Sequence, residues 1–143
     1  MTKVDFYLLA QAGQDVRETM ACKLIEKIYQ LNHKVYIHTD SEQDAARIDS
    51  LLWTMKPGNF IPHEIASNKN NPQTPILIGH SDNAPPIQDV LVNLTHAVPL
   101  FFSQFERVAE FVDADDANKT LGRKRFKFYK DRGYQLDTHD LAI

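Results

Sequence analysis

The chain has 143 residues, 43% of them hydrophobic and 24% charged, with a formal net charge of −3. That length and apolar fraction suit one domain, 1–143, with a core that needs no staples, and they exclude disordered and collagen-like classes. No apolar run reaches the roughly 20 residues of a membrane span. The first ten residues lead into a strand pattern with Asp5 inside it rather than a secretory signal, so a cytoplasmic location is expected.

The net charge hides an asymmetry. Between residues 119 and 132 there are seven Lys or Arg against the single acid Asp131, while the rest of the chain carries nine basic and eighteen acidic residues. A chain so acidic elsewhere would repel a nucleic-acid backbone except at that one segment.

Val4-Asp5-Phe6-Tyr7-Leu8-Leu9 reads as a first strand, apolar enough to be covered on both faces. Asp15 is placed to cap a helix with Val16, Met20, Leu24, Ile28 and Leu31 at steps of three and four. A second strand, Val35-Tyr36-Ile37-His38, is followed by capping residues at 39–42 and a helix carrying Ala45, Ile48, Leu51 and Leu52. Such βαβα order argues for a mainly parallel sheet with crossover helices.

Residues 55–74 are rich in turn formers, with Lys56-Pro57-Gly58 and Asn70-Asn71-Pro72, and read as loop with a possible short strand near 59–61. Ile76-Leu77-Ile78-Gly79 and Val90-Leu91-Val92-Asn93-Leu94 are the next strands. The turn at 81–86 is too short for a crossover helix, so either the two pair antiparallel or their connection leaves the sheet edge. Residues 99–105 suggest a short helix with Pro99 early in it, 107–112 a fifth strand, and 116–132 a last helix ended by Gly133. The fold class expected is α/β, a single three-layer, Rossmann-like domain with about five strands flanked by helices.

On a helical wheel of the last helix, Ala117, Leu121 and Phe128 form one stripe, read as the core side. Lys119, Arg123, Phe126 and Lys130 cluster on the other side. Two readings of that cluster stay open. Phe126 packs under a neighbouring loop and the cations solvate the helix, or the face binds something both apolar and anionic. A base on a phosphate chain would satisfy the second reading, and so would a peptide ending in a hydrophobic residue and a carboxylate.

Other chemistry is weakly signalled. The six histidines show no pair four residues apart and no neighbouring Cys, so no metal is expected. The lone Cys22 falls within a helix and reads as a buried structural thiol. Ala10-Gln11-Ala12-Gly13-Gln14-Asp15, after the first strand, has one Gly and an acid where a nucleotide-binding turn would cradle phosphate. No cofactor is expected.

Phe6-Tyr7-Leu8-Leu9, Ala46-Arg47-Ile48-Asp49 with Leu52-Trp53, Phe60-Ile61-Pro62-His63, and Arg123-Lys124-Arg125-Phe126-Lys127-Phe128-Tyr129 with Gly133-Tyr134 occur in that order across nearly the whole chain. Together they resemble the chi subunit family of bacterial DNA polymerase III. The resemblance implies a non-catalytic α/β subunit of the clamp-loader assembly. Such a subunit pairs with the psi subunit and grips the acidic, Phe-terminated C-terminal tail of single-stranded DNA-binding protein. By position, the family's tail-binding residues fall on Trp53, Val112, Lys119, Arg123, Phe126, Leu136 and Thr138. Arg123 would take the terminal carboxylate through two parallel hydrogen bonds, and Lys119 the acidic run before it. Trp53, Val112, Phe126 and Leu136 would wall the ring. Where the family often has Tyr, this chain has Phe126, which keeps the stacking surface without the hydroxyl.

For psi, the apolar run Ala97-Val98-Pro99-Leu100-Phe101-Phe102 is either an interface or part of the chain's own core. The alternative to the adaptor reading is direct binding of single-stranded nucleic acid by the same basic helix.

Overall fold

A computed structural model describes residues 1–54, 61–66 and 74–141. The strands are β1 (Lys3–Leu9), β2 (Val35–His38), β3 (His63–Ile65), β4 (Ile76–Gly79), β5 (Val90–Asn93), β6 (Arg107–Val112) and β7 (Gln135–Leu141). The helices are α1 (Gln14–Gln30), α2 (Glu42–Thr54) and α3 (Asp116–Asp131), with a 3-10 turn at Phe102–Gln104. One seven-stranded sheet has the order β3-β4-β2-β5-β6-β1-β7, and every neighbouring pair is parallel.

Parallel neighbours place aligned residues on the same face, and this sorts the core. Leu9, Val35, Ile37, Ile76, Ile78, Val92 and Phe111 point one way, under Met20, Ala21 and Ile25 of α1 and Ala45, Ile48 and Leu52 of α2. Val4, Phe6, Tyr36, Leu77, Leu91, Val108 and Val112 point the other way, under Tyr129 of α3 and under Phe101, Phe102 and Phe105. The result is the expected three-layer, Rossmann-like α/β arrangement.

Among the described residues there are seven strands rather than about five. β7 has a polar sequence, Gln-Leu-Asp-Thr-His-Asp-Leu, because an edge strand has one neighbour and needs no continuous apolar run. A short strand lies at His63–Ile65, and the one considered near 59–61 falls largely outside the described residues. The Lys56-Pro57-Gly58 turn, Phe60 and the 67–72 loop lie outside the described residues. β4 and β5 neither pair with each other nor run antiparallel: they flank β2, so their connection passes over one strand.

Ser41 Oγ accepts from the Asp44 amide at the start of α2, and Asp115 caps α3 by accepting from the Asn118 amide. Asp15 does not cap α1, whose N-cap is Gly13 at φ 127° with no side-chain cap bond. Only a residue at ease in that backbone region fits there without strain. Leu31, assigned to the α1 stripe, is instead exposed beyond its end.

Candidate functional site

The stripe that α3 buries is Gly122, Arg125 and Tyr129, not Ala117, Leu121 and Phe128. The cause is polar. Arg125 Nε donates to Glu110 Oε1 at 2.9 Å, and Glu110 also accepts from Tyr129 Oη at 2.8 Å and Asn93 Nδ2 at 2.9 Å. Burial and Glu110 together hold the Tyr129 phenol far above its ordinary range, so it remains a donor. With a charged residue in the buried stripe, hydropathy alone assigns the wrong face of the helix.

Lys119, Arg123 and Phe126 therefore sit on the flank of the buried stripe. That flank overhangs the C-terminal ends of β1 and β6. These neighbouring strands send their connections to opposite faces of the sheet, β1 to α1 and β6 to α3. Diverging connections leave a crevice at the strand ends, the place where open parallel sheets carry ligand sites. Here it forms a cavity of about 270 Å³ lined by Phe6, Leu8, Leu9, Val112, Asp113, Lys119, Gly122, Arg123, Phe126 and Thr138.

The floor is apolar. Phe126 meets Phe6 edge to face, with ring centroids 5.3 Å apart, so its ring is held in the wall. A Cβ on Gly122 would sit 2.8 Å from Val112 Cγ2, so the bare glycine lets α3 lie close on β6 beside the cavity. Asp113, the acid in the wall, is already engaged. Arg17 Nε is 3.1 Å from its Oδ2, and Asn118 Nδ2 donates to both of its oxygens. Among the described residues, no carboxylate pairs with Lys119 or Arg123; Arg123 donates only to Thr120 Oγ1, at 3.3 Å. The rim is therefore net cationic over an apolar floor.

Five of the seven residues named from the sequence, Val112, Lys119, Arg123, Phe126 and Thr138, line this cavity. Leu136 is on the same face of β7 as Thr138 and packs against the adjoining core. Trp53 is elsewhere. It ends α2, on the other face and toward the opposite edge of the sheet, with its ring centroid 4.7 Å from that of His63 in β3. Its ring lies against His63, whose side chain is fully buried beside Asp49. The lining residues that sequence reasoning missed are Phe6, Leu8, Leu9, Asp113 and Gly122. Alternation along β1 and a glycine inside a helix were the signals for most of them.

Among the described residues, no group of three or more His, Cys, Asp or Glu could hold a metal ion, and no helix is long and apolar enough to cross a membrane. Cys22 is buried, and burial pushes its thiol up to about 12, which keeps it un-ionised at neutral pH.

The family model for the DNA polymerase III chi subunit, HolC, matches residues 1–137. The chain belongs to the DNA polymerase III chi subunit family. It is 36% identical to the subunit chi of Pseudomonas aeruginosa over 141 residues, covering 99% of this chain and 98% of that one. It is 34% identical to that of Haemophilus influenzae, covering 96% of each, and 28% identical to that of Escherichia coli, covering 96% and 97%. Among solved structures, T4 UvsW superposes with a TM-score of 0.70 at 10% identity, over 99% of this chain and 42% of that one. At that identity the likeness is one of fold. The chain is thus a replication accessory subunit by family, and its cavity lies where the fold leaves room for a ligand.

Proposed function

We propose that this chain is a non-catalytic, cytoplasmic subunit of the clamp-loader assembly that grips the acidic, Phe-terminated tail of single-stranded DNA-binding protein in the cavity between α3 and the ends of β1 and β6. The observation that carries the reading is the pairing of an apolar floor with two cations that no acid among the described residues pairs with. A terminal phenyl ring enters against Phe6, Val112 and Phe126. Its carboxylate meets the Arg123 guanidinium, which can offer two parallel N–H groups, while Lys119 attracts the preceding acids. A long phosphate chain would need a broader positive surface than this rim. Six of the residues assigned by family position take part in this reading; Trp53 does not.

Pairing with psi rests on family membership. In the apolar run considered for it, Phe101 and Phe102 are buried in the chain's own core, while Leu100 is 89% exposed and available to a partner.

Chemical-shift mapping with an acidic, Phe-terminated peptide tests the site. Perturbations gathered on Val112, Lys119, Arg123, Phe126 and Thr138 support it. Perturbations confined to other surfaces, or an oligonucleotide that binds at physiological salt where the peptide does not, defeat it.

A further inference from the structure

β7 supplies Leu136 and Thr138 to the site and is an edge strand of the sheet. It hydrogen-bonds to β1 alone. Its sequence has no continuous apolar face, with Leu136 on one side and Leu141 on the other among polar residues, and such strands specify their register weakly, since a slip of one residue exchanges the faces. Something besides hydrophobic patterning must therefore keep Thr138, and not its neighbours, at the cavity.

The candidates lie on the reverse face. Asp5, buried at 3% exposure in β1, accepts from His139 Nε2 at 3.0 Å and from the Arg107 guanidinium of β6. The Tyr7 ring is stacked between those of His139, at 4.8 Å, and Phe111, at 5.2 Å. Lys3 Nζ lies 2.8 Å from Asp137 and adds an exposed pair, which contributes little by itself. In the observed register Asp137 aligns with Asp5, Thr138 with Phe6 and His139 with Tyr7. A slip of one residue would carry His139 to the α3 side and Thr138 away from it, so the grip on His139 and the placement of Thr138 require each other.

We infer that His139 is a positioning residue of the tail site: by donating to buried Asp5 and stacking on Tyr7, it fastens edge strand β7 in the register that presents Leu136 and Thr138 to the cavity from the opposite side of the sheet. The inference rests on the tail-binding reading. His139 itself touches no ligand.

Amide hydrogen exchange and peptide titration, run together on the wild type, His139→Ala and His139→Gln, decide it. Glutamine keeps an N–H that can reach Asp5. In His139→Ala, exchange at the amides of 136–140 should rise about tenfold, the scale of one lost hydrogen bond to a charged partner. Affinity for the peptide should fall several-fold while exchange in β2 and β4 stays unchanged, and His139→Gln should recover most of both losses. Failure of the wild type to bind the peptide overturns the tail reading, and the positioning role with it. Binding by the wild type and equally by His139→Ala overturns the positioning role alone. Equal loss in His139→Ala and His139→Gln also overturns the role assigned to the Asp5 bond.

Discussion

Arg125 Nε and Glu110 Oε1 stand 2.9 Å apart between α3 and the sheet, with side chains 4% and 0% exposed. Arg125 also donates to the His96 carbonyl, and Glu110 accepts from Asn93 and Tyr129 as well, so each member has partners besides the other. Removing one member leaves a buried charge without its counter-ion. Arg125→Ala should therefore lower stability by about 3–5 kcal/mol. Urea denaturation measures this, and a loss near zero would mean that the pair is dispensable for folding.

Gly122 faces Val112 closely enough that any Cβ requires one of them to move. Gly122→Val should cost about 1–3 kcal/mol through overpacking, partly offset by the better helix propensity of valine over glycine. Combining it with Val112→Ala should recover part of the loss. Thermal unfolding of the two variants checks both signs.

Trp53 separates a family-based assignment from the geometry. It is 57% exposed and lies across the sheet from the cavity, so Trp53→Ala should leave affinity for the tail peptide within about twofold of the wild type. Calorimetric titration reads this directly, and a loss above tenfold would place Trp53 in the site.

Much of this arrangement could be read from residue order. The apolar-rich runs starting at Val35, Ile76 and Arg107 mark strands to the residue, because strands covered on both faces are mostly apolar. Arg123 and Phe126 stand out as an aromatic among cations. The neighbours of that face do not, for two physical reasons. Arg125 is a cation that belongs to the core because Glu110 meets it there, which inverts the apparent polarity of α3. Gln135–Leu141 places only Leu136 and Leu141 on the core and is held besides by Asp5 and Lys3, so its strand character depends on partners more than 130 positions earlier in the chain. The cavity itself is a property of topology, since β1 and β6 become neighbours only when the sheet forms.

Lys119 and Arg123 set the charge of the rim, and they differ in geometry. Lys119 is a point charge on a flexible stem, whereas Arg123 can match a carboxylate with a planar fork. Lys119→Ala should weaken binding modestly, and the difference should fade with added salt.

The most direct measurement is titration of an acidic, Phe-terminated peptide into the wild type and Arg123→Ala at physiological salt. If Arg123 holds the terminal carboxylate, the variant should lose about 2 kcal/mol, roughly a thirtyfold weaker Kd. A Kd unchanged by Arg123→Ala would contradict the assignment of this cavity to the tail.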